Sequence, residues 1–225
     1  MDLETPDTDV PIRDAATIIL VRDAETVPKV LMGQRGKTAA FMPDKYVFPG
    51  GAVDPGDAEI AVTGLGATCE NRLMQVTKAG DPNRFVATAI RELWEETGQA
   101  LGRHQAWDAP KGWEDFADLG VFPDARGLSF FFRALTPPGR PRRFDARFFL
   151  ADATRLATDL DDFSRAEDEL SHLHWVAMTD VRKLNLPFIT QLVLAELESH
   201  LPRTDAPDRV PFVKNDDPES QVIWL

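Results

Sequence analysis

Arg91-Glu92-Leu93-Trp94-Glu95-Glu96-Thr97-Gly98 ends a stretch, Phe85 to Thr97, that reads as one firm helix with Gly98 in the place of its C-terminal cap. At roughly 100° per residue, Glu92, Glu95 and Glu96 fall within a wedge of about 100° on one face. Val86, Ile90 and Leu93 form a stripe roughly 140° from the centre of that wedge, so the helix can bury its apolar side and still point three carboxylates one way. Like charges at i,i+3 and i,i+4 are unfavourable by ~0.2–0.5 kcal/mol per pair. A divalent cation turns that repulsion into ligation, and an all-oxygen donor set selects Mg²⁺ or Mn²⁺ over softer metals. On these residues alone, a solvated acidic helix face is the competing reading.

Around the helix, short apolar runs read as strands: Ala15 to Val21, Val27 to Gln34, Tyr46 to Phe48, Leu128 to Leu135, Phe144 to Ala151 and Leu173 to Ala177. Tyr46-Val47-Phe48 runs into Pro49-Gly50-Gly51, where a glycine pair permits close approach of the backbone to a ligand. Glu70 to Lys78 has the length of two helical turns, and Lys111 to Ala117 reads as a short helix. Pro187 stands as the first residue of a last helix running to about His200. A late strand is expected at Val210 to Val213. Strands precede, flank and follow the long helix, so the fold class is mixed α+β. The expected organisation is a flexible arm over 1–14, one domain over 15–201 and a polar tail over 202–225.

The 225 residues carry 25 basic and 37 acidic side chains, a net charge of −12 that disfavours coating nucleic acid or an anionic membrane through the overall field. No apolar run approaches the ~18 residues of a membrane span. The single Cys69 excludes an internal disulfide framework and a cysteine-based zinc site. The N-terminal stretch lacks the basic and apolar regions of a signal peptide, so a cytoplasmic location is expected.

Gly51, five residues, Asp57, and further on Arg-Glu-Leu-Trp-Glu-Glu-Thr-Gly resemble the Nudix box, G-x5-E-x7-R-E-U-x-E-E-x-G-U. The second half matches at every fixed position. Three departures stand out: Asp57 in place of the first Glu, Gln99 in place of an aliphatic residue, and 33 residues between Asp57 and Arg91 instead of seven. The last implies an insertion within the box over 58–82, expected to bulge outward as a wall or lid, with part of it packed on its own domain or on a second subunit. A box interrupted in this way resembles the coenzyme A diphosphatase-like branch. So do Ala40-Phe41-Met42-Pro43, Val47 to Asp54, Thr136-Pro137-Pro138, Arg142-Arg143-Phe144-Asp145 and Phe148-Phe149.

The resemblance implies an α/β/α sandwich with a mixed central sheet, the box forming loop–helix–loop. It implies metal-dependent hydrolysis of a nucleoside diphosphate linked to another moiety, with coenzyme A or acyl-coenzyme A the leading substrate. An NADH- or ADP-ribose-type pyrophosphatase and a non-catalytic nucleotide sensor are the alternatives. Carried over by residue, Glu92, Glu95 and Glu96 with the Gly50 carbonyl would hold the metal, and Arg91 would orient a carboxylate. Glu92 or an acid of a distal loop (Glu167, Asp168 or Glu169) would act as base, with Glu169 chosen among the three. Arg35, beside Lys37, and Arg142 and Arg143 in the basic stretch 140–147 would bind substrate phosphates; ion pairing with the protein's own acids is the other reading of that stretch. The expected partner is a small-molecule nucleotide, with neither nucleic acid nor membrane, and the insertion leaves room for a homodimer.

Overall fold

The computed structural model describes residues 10–37, 39, 41–75, 81–215 and 220–225. Ala40, Val76, Lys78 and most of the N-terminal arm lie outside them. The sheet is built around β1 (Ile12–Arg22), whose central residues are apolar on both faces, as a strand covered on two sides requires. One edge of β1 pairs in parallel with β8 (Arg143–Asp152). Its other edge is shared, with β4 (Gly50–Ala52) at the N-terminal half and β2 (Lys29–Arg35) at the C-terminal end. β3 (Tyr46–Val47) and β9 (Leu170–Ala177) pair with β2. Beyond β8 come β7 (Ser129–Leu135), β10 (Pro211–Lys214) and β11 (Gln221–Trp224), giving a mixed sheet of nine strands among the described residues. β5 (Gly102–His104) and β6 (Val121–Pro123) form a separate hairpin-like pair.

Alternation along the strands sorts the core into two layers. Ile18, Leu20, Leu31, Phe130 and Phe149 pack against Phe85, Val86, Ile90 and Leu93 of α2 (Asn83–Thr97), with α1 (Ala67–Leu73) and α3 (Glu114–Asp118) on the same side. Ile19, Val21, Met32, Phe148 and Leu150 face Val193, Leu194 and Leu197 of α4 (Phe188–His200). The result is a sheet between two helical layers, as the sequence implies. Gly98 caps α2 with φ of 69°, a left-handed conformation suited to glycine. Among the described residues no helix is long and apolar enough to cross a membrane.

Several expectations about extent change. The sheet begins at Ile12, so residues 12–14 belong to β1 and not to an arm. The C-terminal segment is not a tail: Val210 and Phe212 are buried, and β10 pairs in parallel with β7. The short helix near Lys111 starts later, at Glu114, and Pro187 caps α4 one residue before its first turn. Residues 58–75, expected to pack on their own domain or on a second subunit, pack on their own domain. Ile60, Val62, Cys69 and Leu73 are buried in the same cluster as Ile18 and Phe85, and the Thr63 carbonyl accepts from the Ala125 amide at 2.7 Å. Most of the apolar residues of 58–75 thus pack into the core of their own domain, with Leu65 half-buried against it and Met74 exposed.

Candidate active site

The carboxylate end of α2 meets the loop at β4. Thr17 pairs with Gly50, and the Gly50 amide donates to Glu96 Oε2 at 2.8 Å. A Cβ on Gly50 would stand 2.6 Å from the Ala16 carbonyl oxygen and Thr17 Cα, and one on Gly51 would land on the Glu92 carboxylate. Glycine at both places is what lets two carboxylates reach the backbone of the loop. The three glutamates therefore do not form the freely solvated face that a wedge on a helix suggests: Glu96 is 2% exposed and the Glu92 side chain 12%.

That burial has an electrostatic consequence. Desolvation, then the fields of Glu95 and Glu169 against the opposing pull of Arg91, push Glu92 up to about 7. Burial and the neighbouring Glu92 charge push Glu96 well above the ordinary carboxylate range, against the Gly50 amide. Burial raises Glu95 as well. Fully ionised, the cluster would hold more negative charge than its surroundings neutralise, and the raised values are its response.

Arg91 organises it. Nε and a terminal nitrogen grip Asp57 bidentately at 2.8 and 3.0 Å, and the guanidinium also donates to Glu92 and Glu95, each at 2.9 Å, and to the Ala52 carbonyl at 3.1 Å. Burial opposes the Arg91 charge, but these acids outweigh it and raise its pKa further. Asp57 is 1% exposed and also accepts from Thr88 Oγ1 at 2.7 Å and from the Asp54 amide at 2.9 Å. It sits in a 3-10 turn, Pro55–Glu59, which brings its shorter side chain to the arginine and explains how Asp serves where the box has Glu. With Glu95 Arg91 also makes an i,i+4 ion pair along the helix.

Of the other expected residues, Arg35 and Glu169 come to the cluster and to each other, at 2.9 Å. Arg35 ends β2 opposite Leu170, and its buried Nε has no hydrogen-bond partner among the described residues. Glu169 acts on both Glu92 and Glu96 through its charge. Its loop docks on the helix end, where the Glu167 amide donates to the Glu95 carbonyl at 2.8 Å.

Arg142 and Arg143 do not come to the cluster. Arg143 pairs with Ile12, five positions along β1 from the Thr17–Gly50 pair, or ~17 Å at 3.3–3.4 Å per residue. Its buried guanidinium donates to the Thr136 carbonyl at 3.1 Å. Arg147 likewise pairs with Asp14 at 2.6 Å and lies over the Phe85 ring. Within the stretch, Arg147 follows the reading of ion pairing with the protein's own acids. Thr88 and the Ala52 carbonyl are site residues that the sequence reading omits. Thr88 was within reach of it, lying three residues before Arg91 on one helix face.

Gly50–Gly51 and the all-oxygen glutamates fit a hard divalent cation: the donor set is right and the cradle is one that a Cβ would fill. Among the described residues no three acidic, imidazole or thiolate side chains already converge as ligands, because Arg91 holds Glu92 and Glu95 while the Gly50 amide holds Glu96. Beside them opens a cavity of about 510 Å³ walled by Asp54, Asp57, Ile60, Arg91, Glu95 and Trp113.

A pH dependence follows. Glu92 has an ordinary value of 4.5 and in the folded protein keeps its proton up to about 7. Between these values the unfolded chain binds fewer protons, so the metal-free protein loses stability as pH rises through the window. A cation binds the deprotonated form, so Mg²⁺ is expected to raise Tm more at pH 8 than at pH 5, and less in Glu92→Gln at either pH. Thermal melts at both pH values check this; equal Mg²⁺ shifts at the two would contradict it.

No family model matches the chain. It is 32% identical over 178 residues, 73% of its length, to a Caenorhabditis elegans protein that carries the name nudix hydrolase 7, and it spans about half (51%) of that relative. A crystal structure of a NUDIX hydrolase from Alicyclobacillus acidocaldarius superposes with a TM-score of 0.61 at 28% identity, covering 83% of this chain and 91% of that one. The MutT protein of Methanosarcina mazei Go1 gives 0.50 at 13% identity over 85% and 96% of the two chains. The architecture is the Nudix fold.

Proposed function

We propose that the chain is a Nudix pyrophosphohydrolase that cleaves a nucleoside diphosphate linked to another moiety, using Mg²⁺ or Mn²⁺. The observation that carries this is the buried Glu92/Glu96 pair packed on Gly50–Gly51, with negative charge in excess of what Arg91 and Arg35 neutralise. Glu92, Glu95, Glu96 and the Gly50 carbonyl would hold the cation, which when bound neutralises charge on the nonbridging and leaving oxygens of the pyrophosphate. Arg91 keeps Glu92 and Glu95 in place, and Asp57 keeps Arg91 in place. Arg35, whose Nε has no hydrogen-bond partner among the described residues, supplies positive charge for a substrate phosphate. Water adds to one phosphorus as the P–O–P bridge breaks, and Glu169 takes the proton of that water.

Coenzyme A or acyl-coenzyme A is the finer reading, giving 4′-phosphopantetheine (or its acyl form) and adenosine 3′,5′-bisphosphate. It is supported by the segments that resemble the coenzyme A diphosphatase-like branch and by reading 58–82 as an insertion that leaves Gly50 and Glu96 in contact. It draws no support from Arg142 and Arg143. An assay with Mg²⁺ or Mn²⁺ across coenzyme A, NADH, ADP-ribose and a dinucleoside polyphosphate, with products identified by mass, tests both levels. Cleavage of NADH or ADP-ribose but not coenzyme A would move the substrate. Nucleotide binding with no cleavage of any of the four would make the protein a sensor.

A further inference from the structure

Gln99, the residue standing where the Nudix box has an aliphatic side chain, is fully buried at the end of α2. A buried primary amide left without partners costs about 1–3 kcal/mol per group, and this one is satisfied on both ends. Its Nε2 donates to the carbonyls of Asp159 at 3.0 Å and Asp162 at 2.9 Å, and its Oε1 accepts from Thr158 Oγ1 at 2.8 Å. Two carbonyls on one side and a hydroxyl on the other fix the orientation, since a flipped amide would set oxygen against oxygen twice. Thr158 Oγ1 in turn accepts from the Ala100 amide at 3.2 Å, and the Ala157 amide donates to the Ala100 carbonyl at 2.8 Å.

The chain then crosses the helix end at close range. A Cβ on Gly98 would be 2.9 Å from Arg165 Cβ, and two residues after Arg165 the Glu167 amide binds the Glu95 carbonyl. Glu169 follows and meets Arg35. The side chain of Gln99 therefore sits at the root of the segment that delivers Glu169 to Glu92 and Glu96. An aliphatic residue there could pack, but it could not select where 158–162 lies along the helix axis.

We infer that Gln99 is a positioning residue: it fixes the 157–169 loop on the end of α2 and so sets where Glu169 stands over the carboxylate cluster. The inference rests on the hydrolase reading above, in which Glu169 accepts the proton. Gln99→Met keeps the volume and removes all three hydrogen bonds. The fold should survive, because Trp175 Nε1 still donates to the Leu160 carbonyl at 2.8 Å and Arg22 still pairs with Asp161 at 2.6 Å.

Two measurements on the full chain test it. Hydrogen exchange should quicken at the Glu167 amide and across 158–166 in Gln99→Met, with the amides of α2 unchanged. In the active protein kcat should fall about tenfold to a hundredfold, the range for a misplacement near 1 Å, with KM and the Mg²⁺ requirement unchanged. Glu169→Gln should then cost little more in the Gln99→Met background, since both act through one group. Unchanged exchange, or kinetic losses from the two substitutions that multiply, would overturn the inference. A wild-type protein that hydrolyses none of the pyrophosphates would instead remove the functional reading, and the exchange measurement alone would decide whether Gln99 anchors the loop.

Discussion

Glu96→Gln is expected to lower kcat by ~10²–10³, the usual cost of deleting one electrostatic contact to the transition state, while the metal-free protein melts at the same temperature or slightly higher. Glu96 is buried beside Glu92, so its charge is a liability to the fold unless a cation is bound. Glutamine keeps an oxygen for the Gly50 amide and drops the repulsion. The pairing of the two results is what matters: activity is lost where stability is not. Near-normal turnover at saturating Mg²⁺ would remove Glu96 from the metal site.

Arg91→Met should behave in the opposite way, with a large loss of stability. The substitution strips Asp57 of its bidentate partner at a position 1% exposed, and leaves Glu92 and Glu95 without their common cation. Breaking one side of a buried ion pair costs ~3–5 kcal/mol, which for a domain of this size lowers Tm by roughly 6–20 °C. Adding Asp57→Leu should recover part of the loss, because the damage comes from the orphaned carboxylate and not from missing packing. A single variant melting within about 2 °C of wild type would show that Arg91 does not carry the cluster.

How much of this the sequence holds depends on the range of the interaction concerned. The helix from Phe85 to Gly98, its apolar stripe and its carboxylates follow from a 3.6-residue period and a cap, which are local. The strands at Ala15 and Leu128 follow from apolar runs, and the β-branched residues of the first reinforce it. What the period cannot say is how deep the acidic face lies. Glu96 becomes buried only because β4 and β1 bring Gly50 against it, across 46 positions of chain. The arginines show the same limit. A run of basic residues near an expected phosphate is a charge pattern, while the register of β8 on β1 puts Arg143 five positions along β1 from the cluster and Arg147 into a buried pair with Asp14. Arg35 and Glu169 are the reverse case: they are far apart in the chain, and antiparallel pairing of β2 with β9 brings them together. Short strands such as β4, β5, β6 and β11 carry three or four residues each and too little pattern to be seen.

The parallel pairing of β1 with β8 also sets an order of events. Every partner in that ladder, from Ile12 with Arg143 to Val21 with Asp152, is 131 residues away. At ~5–20 residues per second of synthesis, the first strand waits roughly 7–26 s for its main neighbour. Gly50, Asp57, Arg91 and the three glutamates are all made during that wait, but Phe149, which backs α2 across the sheet, and Glu169, which faces the carboxylates, are not. Contacts this distant in sequence are slow to close. The nascent chain thus carries the residues proposed to hold its cation well before it can hold them still, and Glu169 arrives only after the ladder has something to close onto.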